Sequence, residues 1–190
     1  MSNRLFLRMK ELFVSFAFVL QTFVSSASGN ITTAWQNARF SHTQALPKTL
    51  IIPTLQIHAP IEYVGTTMEG AMDVPQDIWH VAWYTHGPRP GEIGNAVIDG
   101  HLDAKDGPAV FYTLINLSLG DKIFITDENG GKLTFIVTDK HDYPYNAFPI
   151  NKVFGKTDKK QLQLITCSGT FDRTHENYSD RIVITAEFIE

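Results

Sequence analysis

From Thr49 onward the chain breaks into short apolar runs separated by proline, glycine and polar turns, and that texture constrains the fold more than any other feature. The runs are Leu50 to Pro53, Leu55 to Ile61, Ala71 to Pro75, Ala96 to Gly100, Lys122 to Thr126, Lys132 to Thr138, Leu162 to Thr166 and Ile182 to Phe188. None is long enough for an ordinary helix and several alternate apolar with polar residues, so each is predicted to be a strand. Eight such strands at this spacing predict a mainly β fold, a barrel or a sandwich. Asp127-Glu128-Asn129-Gly130-Gly131 lies between two of the runs and carries the Asn-Gly signal of a hairpin. Helix is confined to a turn or two in Val110 to Asn116 and another in Thr157 to Gln161.

The 190 residues, 43% apolar and 19% charged, suit one globular domain with an appendage. A net charge of −4 offers no basic footprint for nucleic acid. The single cysteine excludes an internal disulfide, so packing must hold the fold.

The appendage is N-terminal. Arg4, Arg8 and Lys10 precede the apolar stretch Leu12 to Val24, and Ser25, Ser26, Ala27, Ser28 and Gly29 follow it. Basic, apolar, then small is the order of an export signal. Residues 1–29 are therefore expected to be an export signal or an N-terminal membrane anchor, with cleavage after Ala27 and retention both open. Charge clustered only at the start is not the pattern of an amphipathic core helix. The rest of the chain is expected outside the cytoplasm, anchored to the membrane or at the cell surface. Residues 30–48 are expected to be a linker, with a helical turn at Ala34 to Phe40, and 49–190 the folded domain.

Leu162-Gln163-Leu164-Ile165-Thr166-Cys167 alternates like a strand and ends in the only cysteine. A thiol where a strand gives way to a turn is rigidly held yet reachable, which makes Cys167 the candidate nucleophile, against the plain alternative of a small buried hydrophobe. A second apolar run, Ala96 to Gly100, leads into His101, the candidate base, with Gly100 expected to ease the turn. A metal reading of His101 and Asp103 lacks further ligands at recognisable spacing. A fixed positive charge would complete the set. Arg181, opening the strand Ile182-Val183-Ile184, comes next to Cys167 if Ser168 to Asp180 is a loop that folds back; Arg173 within that loop is the competitor. His58, His80, His86 and His141 read as surface or packing residues.

These residues resemble the sortase family, the cysteine transpeptidases that attach proteins to the cell wall of Gram-positive bacteria. The likeness rests on Thr166-Cys167 after Leu-Gln-Leu-Ile, an arginine opening an Ile-Val-Ile strand, and an upstream Gly100-His101-Leu102-Asp103. Ile52-Pro53 to Pro60-Ile61, Trp79 to Trp83-Tyr84, Gly87 to Glu92, Gly107 to Phe111 and Ile165 to Asp172 resemble its class F branch. The resemblance spans about Leu50 to Phe188 and implies a closed eight-stranded sortase-type β-barrel with a few short helices. It implies catalytic Cys167, His101 and Arg181, with Thr166 hydrogen-bonding near the substrate and Asp103 orienting the His101 segment. It further implies an LPxTG-like sorting motif cleaved between Thr and Gly, and transfer to a cell-wall amine such as a peptidoglycan precursor or a pilin lysine. Exported proteins bearing that motif are the expected partners, and no step calls for a metal or organic cofactor. A hydrolytic endopeptidase and a barrel that binds peptide without chemistry are the competing readings. Asp172, Glu176 and Asp180, in the segment after Cys167, are expected to bias substrate charge.

Overall fold

In the computed structural model, residues 44–190 are described. The export segment, the turn at 34–40 and most of the linker lie outside the described residues. Ten strands follow in order: β1 (Pro47–Ile52), β2 (Ile57–Val64), β3 (Val81–Tyr84), β4 (Gly94–Gly100), β5 (Asp103–Ala104), β6 (Gly107–Pro108), β7 (Lys122–Asp127), β8 (Lys132–Pro144), β9 (Lys160–Asp172) and β10 (Asn177–Phe188). Eight of them close a barrel in the order β1-β2-β3-β4-β9-β10-β8-β7, and β5 pairs with β6 as a separate two-stranded sheet. The β2–β3 and β4–β9 pairs are parallel; the rest are antiparallel. Closure leaves the barrel no free edge.

The expectation of eight strands and a barrel holds, with one exchange. Ala71 to Pro75 is not a strand and contributes only the isolated bridge Thr66↔Met72. The missing barrel strand is β3, whose Val81, Ala82 and Trp83 are all buried. A short strand covered on both faces shows no alternation, and periodicity passes over it. The β7–β8 hairpin forms as its Asn-Gly signal indicates: Gly130 has φ +83°, and Asp127 Oδ1 accepts the amides of Asn129 and Gly131, each at 2.8 Å. Helix is as scarce as expected but partly displaced. A 3-10 turn covers Leu114–Asn116, whereas Thr157 to Gln161 is irregular before entering β9, and the only described α-helical turn is α1 (Ile150–Val153).

Inward residues of every barrel strand meet in one core, including Leu50, Ile98, Ile125, Phe135, Leu162, Leu164 and Ile184, joined by Phe111, Leu114 and Leu117 from the segment after β6. A second, smaller cluster lies on the outer face of β4, β9 and β10. Val97, Ile165 and Val183 pack there against Val153 of α1, with Tyr143, Phe148 and Phe154 alongside. A polar relay satisfies the same face: Thr185 Oγ1 donates to Gln163 Oε1 (2.8 Å), Gln163 Nε2 to Asn95 Oδ1 (3.1 Å), and Asn95 Nδ2 to the carbonyls of Lys152 and Gly155. Buried polar groups paired in this way anchor the α1 segment against the sheet.

Candidate active site

The pleat assigns each site residue a face. Along β9, Leu162, Leu164 and Thr166 point into the barrel, while Gln163, Ile165 and therefore Cys167 point outward. On β10 the outward set is Arg181, Val183 and Thr185, and Arg181 stands directly opposite Cys167 in the antiparallel register. On β4 it is Asn95, Val97 and Asp99. Because β4 and β9 run parallel, with Asp99 level with Ile165, the chain leaving β4 brings His101 to the level of Cys167. Pairing between β4 and β9 stops at Asp99↔Ile165, so β9 loses that neighbour just before Cys167 and the thiol is half-exposed.

Three sequence expectations change in detail. Cys167 is not at a strand end but inside β9, and the expected loop Ser168 to Asp180 is the outer part of a β9–β10 hairpin that projects past the barrel. No core lies beneath that extension, so residues 169–176 are exposed and, Phe171 apart, not apolar, and they read as loop. Its turn holds Arg173, which is exposed, whereas Arg181 is half-buried in the sheet. Gly100 is needed for a reason other than the one expected. Its φ is not positive; instead a Cβ there would stand 2.5 Å from the Phe111 ring, so only glycine lets that ring close under the end of β4.

His101 is held at both backbone and ring. Its carbonyl accepts the Phe111 amide (2.9 Å), and Nε2 lies 2.9 Å from the Pro75 carbonyl oxygen. A carbonyl can only accept, so Nε2 carries the proton and Nδ1 is the nitrogen that can exchange one. Thr166 is 1% exposed and donates to the Gly100 carbonyl at 2.7 Å, pinning the end of β4 to β9 directly beside the site. Asp103, in β5, accepts the Tyr178 hydroxyl.

Arg181 lies in a cradle of its own hairpin. Nη1 donates to the carbonyls of Tyr178 (3.2 Å) and Asp180 (2.8 Å), Nη2 donates to Asn177 Oδ1 (2.6 Å), and the guanidinium stacks 4.8 Å from the Tyr145 ring centroid. These bonds use three of the five guanidinium donors.

Burial is the main influence on the Cys167 thiol and pushes its pKa up; Arg181 pulls it down, and the charges of Asp99 and Asp103 push it up again. Asp99 was not anticipated. It is the one acidic residue in the apolar run of β4, and that anomaly was the available signal. Burial raises its pKa to about 6, against the lowering pull of His101, Arg181 and the Gly100 amide. Tyr178, Asn177 and Tyr145 were also missed, because nothing in their local sequence marks them.

The remaining candidates are accounted for structurally. Asp172 accepts Thr174 N and bonds His175 Nδ1, shaping the hairpin turn. His80 pairs with Glu62 (2.9 Å), His86 with Thr66 (3.1 Å) and His141 with Asp139 (3.1 Å), while His58 is exposed. Among the described residues no group of three or more His, Cys, Asp or Glu side chains is arranged to hold a metal ion.

Comparison with known proteins bears on the whole domain. No curated protein sequence matches the chain. Among solved structures, sortase A from Corynebacterium diphtheriae is 23% identical with a TM-score of 0.60, over 87% of this chain and 71% of that one. Sortase C-1 from Actinomyces oris is 18% identical with a TM-score of 0.58, over 75% and 71% of the two chains. Sortase C1 from Streptococcus agalactiae is 17% identical with a TM-score of 0.59, over 75% and 67%. At these identities the likeness speaks for a shared fold. The model of the sortase domain matches residues 50–189, from the first barrel strand to the end of the last, and on that match the chain belongs to the sortase family of cysteine transpeptidases.

Proposed function

We propose that this sortase cleaves an LPxTG-like motif near the C-terminus of exported proteins and transfers the Thr carbonyl to a cell-wall amine, with Cys167, His101 and Arg181 as its catalytic groups. One observation carries the assignment: Cys167 faces Arg181 across an antiparallel pair while the parallel β4–β9 pairing brings His101 level with the thiol. Cys167 as thiolate attacks the Thr carbonyl and forms a thioester. His101 as imidazolium protonates the departing amine, and the incoming amine then attacks the thioester to release Cys167. The donors that Arg181 does not spend on its hairpin stabilise the oxyanion and hold the peptide, with a backbone N–H near Cys167 assisting. Thr166 supports the site from beneath, and Asp103 orients the His101 segment.

The class F placement rests on the sequence stretches from Ile52 to Asp172. The N-terminal export segment supports an extracytoplasmic enzyme tethered or delivered through the membrane, acting on exported partners and a peptidoglycan precursor or similar acceptor.

Mass spectrometry of the purified chain incubated with an LPxTG peptide and a glycine-based amine tests this. Wild type is expected to give the transferred product, and Cys167→Ala is expected to lose at least about 10³-fold of that activity while remaining folded. Full activity in Cys167→Ala would end the assignment. Cleavage that the amine does not redirect would make the enzyme a hydrolase.

A further inference from the structure

The His101 segment and the hairpin arm that carries Arg181 come from distant parts of the chain and share no strand pairing. Yet one side chain touches both. Tyr178, near the start of β10, donates its hydroxyl to Asp103 Oδ2, two positions beyond His101, and its own carbonyl accepts Arg181 Nη1. The residue before it, Asn177, accepts Arg181 Nη2. On the histidine side, Asp103 is fixed by its β5–β6 pairing, and Leu102 and His101 by the amides of Ala109 and Phe111. On the hairpin side the base is held by the pairing of Asp180 and Arg181 with β8 and by Ser168 donating to Asp142, while little besides the β9–β10 pairing itself fixes the part beyond it. Phe171, whose ring lies 5.1 Å from that of Tyr178, is 45% exposed, and the flanking residues from Thr170 to Glu176 are exposed as well.

We propose that Tyr178 is a positioning residue of the transfer reaction: the β9–β10 register sets Arg181 opposite Cys167, and the Tyr178–Asp103 bond sets the residues that cradle the guanidinium, and thereby the guanidinium itself, relative to the His101 segment. This rests on the catalytic reading given above. The bond is charge-assisted, since the phenol meets a carboxylate. Asp103 in turn holds the Tyr178 phenol up at about 12, so the hydroxyl keeps its proton through the neutral range. Positioning acts chiefly on kcat: a displaced guanidinium gives up a little of its hold on the peptide but most of its contact with the oxyanion, which forms only in the transition state.

Steady-state kinetics of Tyr178→Phe, Asp103→Ala, Asp103→Asn and the Tyr178→Phe/Asp103→Ala double variant test the coupling. Tyr178→Phe keeps the ring and is expected to lower kcat by roughly 10-fold with KM within about twofold, the scale on which small misplacements act. Asp103→Asn retains an acceptor oxygen and is expected to recover part of the activity that Asp103→Ala loses. The double variant is expected to be no worse than the poorer single variant. Hydrogen–deuterium exchange supplies a readout independent of turnover: in Tyr178→Phe, exchange is expected to quicken in both the 101–104 and the 177–181 segments. A kcat within twofold of wild type, losses that multiply in the double variant, or exchange that rises in the hairpin alone would overturn the proposal. Should wild type fail to transfer any peptide, the proposed reaction falls and the exchange result alone decides whether the coupling exists.

Discussion

On its inner face β9 presents Leu162, Leu164 and Thr166, none more than 1% exposed, to a core assembled from every wall of the barrel. On its outer face the same strand presents Gln163, Ile165 and Cys167 in sequence: a residue in a closed polar relay, a residue under an apolar cover, and a half-exposed thiol. Stability is concentrated on the first face, and on the second the environment grades from sealed to open toward the level where β4 stops pairing. The contrast shows how a rigid wall can hold a reactive group: the sheet fixes the backbone from within, and chemistry begins where the outer cover and one neighbouring strand end.

Substitutions on the two faces should therefore separate stability from reactivity. The largest stability effect is expected inside. Leu164→Ala removes a side chain with no exposed surface and should cost about 2–5 kcal/mol, read as a lower urea midpoint. The Cys167 alkylation rate of the folded fraction should stay near wild type. A large change in thiol reactivity at full stability would break the division between faces.

Gly100→Ala probes the seam where the faces meet. Its methyl would press on the Phe111 ring, and the strain should cost about 1–3 kcal/mol. Because the Phe111 amide bonds the His101 carbonyl, peptide transfer by the folded fraction should fall as well. Loss of stability with undiminished turnover would show that the core and the histidine are uncoupled.

The smallest effect is expected on the outer face and depends on pH. The Asp99 carboxyl sits at about 6 in the fold, above an ordinary aspartate at about 3.9. Native protein thus holds a proton that the unfolded chain has released, so Asp99 costs stability progressively as pH rises from about 4 to about 6 and fully above that. A shift of about two units is worth at most about 3 kcal/mol, and solvent access at the half-buried carboxyl reduces it. Asp99→Asn should therefore be more stable than wild type by roughly 1–2 kcal/mol at pH 8 and within about 0.5 kcal/mol of it at pH 4. It should also speed alkylation of Cys167 at neutral pH, since the Asp99 charge opposes the thiolate. Lower stability of Asp99→Asn at pH 8 would reverse the sign assigned to that carboxylate.

How much of this was legible in the sequence follows from the same two faces. Alternation revealed β9, β8 and β10 because their inner residues are apolar and much of their outer surface is not. It passed over β3, where Val81, Ala82 and Trp83 are buried on both sides, and it took Ala71 to Pro75 for a strand although only Met72 makes a bridge. Cys167, His101 and Arg181 could be named because each follows or joins an apolar run. The hairpin extension could not be seen, since residues 169–176 cover no core and carry no period. The residues that cradle Arg181 stayed hidden for a related reason: Asn177, Tyr178 and Tyr145 act through contacts that only the closed barrel creates.

The most direct test of the outer-face site is intact-mass measurement of the chain mixed with an LPxTG peptide and no amine, followed by peptide mapping. The expected result is a mass increase equal to the acyl fragment ending in Thr, localised to Cys167 and lost on addition of a glycine-based amine. Wild-type cleavage with no adduct on Cys167, or an adduct on any other residue, would contradict the account.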